Sequence, residues 1–312
     1  MTLSRATGLL CLASASALAC AQAPTIHVET HLVTLTFTVR DAGGKLVPSM
    51  NAGDFSVYED GVPQSISIFA HESDLPLHLG LLVDASSSQD RFIRQHLQDI
   101  QKFLGSVLEP RDNVFALCFG DHLRIAAPPT SEPATVIDGI ERYNKQSRSF
   151  PELDADDTRD GGTALYDAIV AGTTHELSAH SDGRKALILF TDGEENSSGH
   201  DEIDAIASAQ DTDALVYAIR YTQLHRGKLS ADNRHGIAAL HHFAEQTGGR
   251  DFDALNSDVA EDFREIGDEL RSLYVIGYYS TNKEHDGTFR KVVIVPRADG
   301  LNVRAKSGYY AK

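Results

Sequence analysis

Leu77-His78-Leu79-Gly80-Leu81-Leu82-Val83-Asp84-Ala85-Ser86-Ser87-Ser88 is a largely apolar run that ends in a carboxylate and three serines. Leu77 and the run from Leu79 to Val83 show no polar alternation, which marks a strand buried on both faces. A helical pattern follows, with Phe92, Leu97, Ile100, Phe103, Leu104 and Val107 on one face. Apolar strands recur at Val114–Phe119, Ala186–Phe190 and Ala214–Ile219. Between them lie helical segments near Ala134–Tyr143, Ala164–Leu177, Glu202–Ala209 and Ile237–Gln246, and a last helix runs from Val259 to Leu273. Alternation of this kind predicts an α/β fold, a doubly wound, mostly parallel sheet with helices on both faces. Glycine after Thr247 suits the left-handed residue that ends a helix.

Both flanks of this region read as antiparallel β. Val33, Leu35, Phe37 and Val39 alternate with Thr34, Thr36, Thr38 and Arg40, a period of two. Phe55–Tyr58, the turn signal Glu59-Asp60-Gly61 and Ser65–Phe69 continue the pattern. After the last helix come Tyr274–Tyr279, Phe289–Val295 and Leu301–Ala305. Neither flank has strands enough to close a core alone. The expectation is therefore one small β-sandwich interrupted by a large insertion. The divisions are residues 1–23 as a signal peptide, 24–73 as an N-terminal β section, 74–273 as the α/β domain, and 274–312 as a C-terminal β section pairing with 24–73.

At 312 residues, 41% hydrophobic and 23% charged, the chain has a globular composition. Its net charge of −17 excludes a nucleic-acid surface, which needs clustered Lys and Arg, and disfavours anionic lipid. Arg5 followed by Leu9–Ala19 and then small residues has the layout of a secretory signal, too short to span a bilayer. The expected location is secreted, periplasmic or cell envelope, with no transmembrane segment. Cys20 leaves a lipid anchor open, although Ala17 and Leu18 fit a lipobox poorly. Beyond Cys11 and Cys20 the chain holds Cys118 alone, set in an apolar strand and read as buried packing.

The chemistry lies where the first buried strand runs out. Asp84-x-Ser86-x-Ser88 supplies one carboxylate and two hydroxyls on a single turn, at the crevice position of an open α/β sheet. A hard cation such as Mg²⁺ takes six oxygen ligands, some of them water. By itself the pattern is equally that of a serine-rich helix cap. Two further segments bring oxygens to the same sheet end: Gly161-Gly162-Thr163 before a helix, and Asp192 after the strand Leu187–Phe190. With these, the sequence resembles the von Willebrand factor type A (VWA) family over roughly Leu75 to Leu273. The metal-ion-dependent adhesion site (MIDAS) of that family has the order D-x-S-x-S, T, D, which Asp84, Ser86, Ser88, Thr163 and Asp192 match. The resemblance implies Mg²⁺, or Mn²⁺ or Ca²⁺, with Ser86 and Ser88 as direct ligands. Asp84 and Asp192 would act through charge and ordered water, and Thr163 would act directly or through water. It also implies a coordination position open to an Asp or Glu carboxylate of a protein or peptide partner.

A narrower resemblance rests on Asp54–Gly61, Thr247-Gly248-Gly249, Tyr274–Tyr279 and Ser307-Gly308-Tyr309-Tyr310, which look like the exported bacterial VWFA-related family of acidobacterial type. Other clusters read as surface. Asp154, Asp156, Asp157 and Asp160 form an acidic loop, and Glu194-Glu195-Asn196 a solvated rim. His235 and His242 stand about 10 Å apart along a helix, too far to share an ion. No G-x-S-x-G elbow or positioned base accompanies Ser86, and His71 and His78 fall in no recognised motif, so no enzyme is expected. The expected function is cation-dependent, adhesion-type protein binding outside the cytoplasm. The alternative is an envelope scaffold in which the metal only stabilises the fold.

Overall fold

The structure is a computed structural model and describes residues 32–311 apart from 121, 147–148, 154–161 and 225–226. The signal-like segment, Cys20 and the acidic cluster Asp154–Asp160 lie outside the described residues.

Period-two alternation produces β1 (Leu32–Arg40), whose Val33, Leu35, Phe37 and Val39 are buried. Then follow β2 (Phe55–Glu59), β3 (Val62–Gln64) and β4 (Ile66–Glu72). The decisive apolar run forms β5 (Leu77–Asp84), buried at every residue. Its continuation is a 3₁₀ turn, Ser87–Phe92, leading into α1 (Ile93–Val107). Next are β6 (Asn113–Phe119), β7 (Arg124–Thr130), α2 (Pro133–Gln146) and α3 (Leu165–Ala171). The chain continues through β8 (Arg184–Thr191), α4 (Glu202–Asp211), β9 (Ala214–Arg220), α5 (Ala231–Thr247), β10 (Asp251–Asp253) and α6 (Val259–Arg271). It closes with β11 (Leu273–Tyr279), β12 (Phe289–Pro296), β13 (Asn302–Ala305) and β14 (Gly308–Tyr310).

Six strands form the central sheet in the order β10-β9-β8-β5-β6-β7, parallel except for β7. Leu79, Leu81 and Val83 pack with residues of α1, α2 and α6 on one face. Leu82 and Leu187 pack with residues of α3, α4 and α5 on the other. Gly80 leaves room for Phe115, whose ring would lie 2.4 Å from a Cβ at that position. A side chain there would evict the ring or split the sheet.

The flanking strands form two antiparallel four-stranded sheets, β13-β1-β11-β4 and β14-β12-β2-β3. N-terminal and C-terminal strands pair directly: Leu35 opposes Ile276, and Val57 opposes Ile294. Their inner faces share one core, in which the Phe37 and Phe55 rings meet edge to face at 5.1 Å. In that core the buried Glu59 carboxylate accepts hydrogen bonds from Tyr278 (2.8 Å), Ser280 (2.5 Å) and Tyr309 (2.9 Å). Three of the segments carrying the narrower family resemblance thus converge on one carboxylate. The fourth, Thr247-Gly248-Gly249, ends α5 with Gly248 at φ +86°, the left-handed cap expected there. Gly249 passes so close to β9 that a Cβ would sit 2.0 Å from the Val216 carbonyl oxygen.

Two boundaries and one added strand differ from the sequence reading. Leu273 opens β11 instead of closing the helix, because it pairs with Glu72 of β4. Helix α5 starts at Ala231, six residues before Ile237, where the Ser230 side chain caps the Asn233 amide. Strand β7 contains Ala126-Ala127-Pro128-Pro129, a poor β sequence that an edge position tolerates. Cys118 is buried and free, and burial raises its thiol pKa. No helix among the described residues is long and apolar enough to cross a membrane.

Two stability tests follow from buried polar groups. Replacing Glu59 by alanine leaves the three hydroxyls without their charged acceptor, and should cost on the order of 3 kcal/mol in urea unfolding. His96 of α1 packs against Tyr221 and Phe190, and neither ring nitrogen has a partner among the described residues. Burial lowers its pKa to about 4, against an opposing pull from Asp99. Between pH 6.5 and 4 the unfolded chain therefore binds a proton that the native state refuses, so stability falls as pH falls through that window. Between pH 7 and pH 5 the parent should lose about 2 kcal/mol more than His96→Leu. Equal losses in the two proteins would show that His96 takes up its proton as readily in the fold as in the unfolded chain.

Candidate metal centre at the ends of β5 and β8

Parallel pairing of β5 with β8 sets Val83 opposite Phe190, so Asp84 emerges beside Thr191 and Asp192 at the C-terminal sheet edge. Asp84 and Asp192 are only 1% and 2% exposed. Asp84 holds the local geometry. Its Oδ1 accepts from the Ser86 amide at 2.9 Å, which curls the chain, and its Oδ2 accepts from the Thr191 hydroxyl at 2.5 Å. Ser86 and Ser88 bring their hydroxyl oxygens to 3.1 Å of each other. Gly120 lets the end of β6 pass alongside, since a Cβ there would lie 3.1 Å from the Ser86 nitrogen.

Thr163 arrives by a different route. Its amide donates to the Asn196 side chain at 2.8 Å, and its carbonyl accepts from the Asn196 amide at 3.1 Å. Gly162, at φ +118°, permits that approach, because a Cβ would sit 2.3 Å from the Asn196 side-chain oxygen. The loop after Asp192 is itself pinned to α3. Glu195 accepts from the amides of Tyr166, Ser197 and Ser198, and Asp167 accepts from those of Gly199 and His200. Glu194 accepts from the Asn233 side chain. Glu195 therefore braces the turn against α3 and Glu194 bonds α5, while Asn196 stays exposed at the rim with its side-chain oxygen on the Thr163 amide. Sequence reading also passed over Thr191, which stands next to Asp192 but shows its role only through strand register.

The electrostatics of the group are unfavourable as the side chains stand. The Asp84 pKa is raised to about 7, chiefly by desolvation and further by the Asp192 charge, against hydrogen bonds from Ser86 and Thr191 that pull it down. Among the described residues no Lys, Arg or His forms an ion pair with either carboxylate. Two buried carboxylates next to two hydroxyls, with no ion-paired basic side chain among the described residues, form an oxygen-only donor set that fits a hard divalent cation.

The role of Thr191 can be measured without metal. Thr191→Val removes the donor to Asp84 and the acceptor of the Gly193 amide while keeping the shape. Unfolding in the presence of EDTA should show a loss of about 1–3 kcal/mol.

No curated protein matches the chain. Several solved structures are similar to it at low identity. An aerotolerance-related membrane protein from Bacteroides fragilis is 18% identical, with a TM-score of 0.45, over 62% of this chain and 98% of that one. A von Willebrand factor type A protein from Catenulispora acidiphila is 13% identical, with a TM-score of 0.47, over 82% and 73%. Proximal thread matrix protein 1 of the mussel byssus, with a zinc-occupied MIDAS motif, is 16% identical, with a TM-score of 0.43, over 65% and 48%. The family model of the von Willebrand factor type A domain matches residues 78–268, more than half of the chain. On that match, and on the six-stranded sheet that carries it, the chain belongs to the von Willebrand factor type A family.

Proposed function

We propose that this protein is an exported, non-enzymatic binding module that holds a divalent cation through Asp84, Ser86, Ser88, Thr163 and Asp192 and uses it to engage a carboxylate on a protein partner. The observation that carries the reading is the pair of buried carboxylates, without a cationic partner among the described residues, set beside the Ser86 and Ser88 hydroxyls. Mg²⁺ suits the all-oxygen set, and Mn²⁺ or Ca²⁺ could take its place. Bound there, the cation would supply a positive charge and a coordination position for an Asp or Glu of the partner.

The chain's own groups divide the work. Thr191 and the Ser86 amide fix both oxygens of Asp84, so that its charge faces a defined direction. Ser86 and Ser88 offer neutral oxygens, which leave most of the cation's charge for an outside ligand. Asn196 sets the position of Thr163 relative to the loop that follows Asp192. The signal-like residues 1–23 support export, and Cys20 is the position at which a lipid anchor would attach. The division into 24–73, 74–273 and 274–312 supports a β unit that displays the central domain.

The test is cation binding followed by partner capture. Mg²⁺ or Mn²⁺ should bind the purified protein in calorimetry, and Ser86→Ala/Ser88→Ala should abolish that binding with the far-UV spectrum unchanged. Partner capture from envelope extracts should vanish with EDTA and with Asp84→Ala. It should persist in moderate salt, because screening over ~8 Å weakens the repulsion of a −17 chain far more than it weakens direct coordination. A partner that binds equally well without metal would replace this reading with the scaffold one.

A further inference from the structure

At the opposite end of β5 a second donor cluster has a different chemistry. His78, one residue into the strand, is 5% exposed, and its Nε2 has no hydrogen-bond partner. Facing it is the connector between α3 and β8, which carries His180 and Asp182. The two imidazole rings stack with centroids 3.7 Å apart and planes 17° from parallel. Asp182 places Oδ1 3.5 Å from His78 Nε2, too long for a well-formed hydrogen bond. One ligand atom from each of His78, His180 and Asp182 lies within 4.8 Å of the others.

We propose that His78, His180 and Asp182 form a second metal site, selective for a borderline transition ion such as Zn²⁺ and independent of the Asp84 site. Two imidazoles and one carboxylate are the donors such an ion takes, whereas Mg²⁺ prefers oxygen alone. Three protein ligands leave a fourth position for water or an outside group.

The surroundings are arranged for this. Asn113 lies 2.8 Å from His78 Nδ1 through its side-chain amide. With that amide turned to present its oxygen, Nδ1 keeps the proton and the Nε2 lone pair faces the cluster, as an outer-shell partner of a ligating histidine does. Gly183 has φ +73°, and a Cβ there would lie 2.7 Å from His78 Nε2, so only glycine lets the connector run this close to the nitrogen. The connector is anchored on the far side by the Arg184 amide on the Pro76 carbonyl, at 2.8 Å.

One movement is required. An ion lies in the plane of each imidazole that binds it, and two nearly parallel rings cannot share one in-plane point nearby. His180 must therefore rotate out of the stack, and its half-exposed place on a surface connector allows this. Asp182, with a side chain 76% exposed, is free to swing in. His78 and Asp84 are six residues apart on one strand, so the two sites are about 20 Å apart and neither shares a ligand with the other. An ion here would tie the start of β5 to the start of β8.

The test uses the full chain in excess Mg²⁺, titrated with Zn²⁺ by calorimetry. One Zn²⁺ site should survive Asp84→Ala, and His180→Ala should weaken it at least about tenfold. Zn²⁺ should also raise the melting temperature of the parent and of Asp84→Ala, but not that of His180→Ala. Ring-nitrogen NMR provides a readout that needs no variant, since the His78 and His180 signals should both shift on Zn²⁺ addition. Zn²⁺ affinity unchanged by His180→Ala, binding lost only with Asp84→Ala, or NMR shifts confined to other histidines would each overturn the site.

Discussion

Strand β11 hydrogen-bonds β1 on one side and β4 on the other, so the segments leading into and out of the α/β body leave one sheet side by side. That pairing joins residues more than 200 positions apart, and such loop closure is favourable only when the enclosed segment is itself compact. A salt-bridged cluster then fixes the body against the sheet. Arg40 of β1 bonds the buried Glu269 of α6 at 2.7 Å, and Glu269 also accepts from Tyr217 of β9 at 3.0 Å. Arg250 approaches the same carboxylate at 3.5 Å, so the buried Glu269 has two guanidinium partners.

The same sheet geometry places both polar clusters. In a parallel sheet all strand C-termini share an edge, so Asp84 and Asp192 come together because β5 and β8 are neighbours in register. Their mutual repulsion is the opposite of what a structural core would retain, which is why the Asp84 group reads as a site and the Glu59 group does not. Glu59 stands among three hydroxyl donors and needs no ion. Asp84 is held by Ser86 and Thr191 but has a second carboxylate, Asp192, beside it. The N-terminal strand edge carries imidazoles instead, held by a connector that only a left-handed glycine can close.

Much of this was legible from residues alone. The uninterrupted Leu79–Val83 run, the Val33–Val39 alternation and the order Asp84, Ser86, Ser88, Thr163, Asp192 determine the fold class and the candidate metal ligands, since periodicity and donor type are local properties of a chain. Tertiary structure alone decided the rest. The Ala126–Pro129 segment became a strand through its edge position, Leu273 left the helix to pair with Glu72, and Glu195 turned inward to brace α3. His78 and His180 stand a hundred residues apart in no motif, and they meet because β5 and β8 start side by side. Contacts across such distances depend on strand order and register, which are settled by which faces bury together and not by any local pattern.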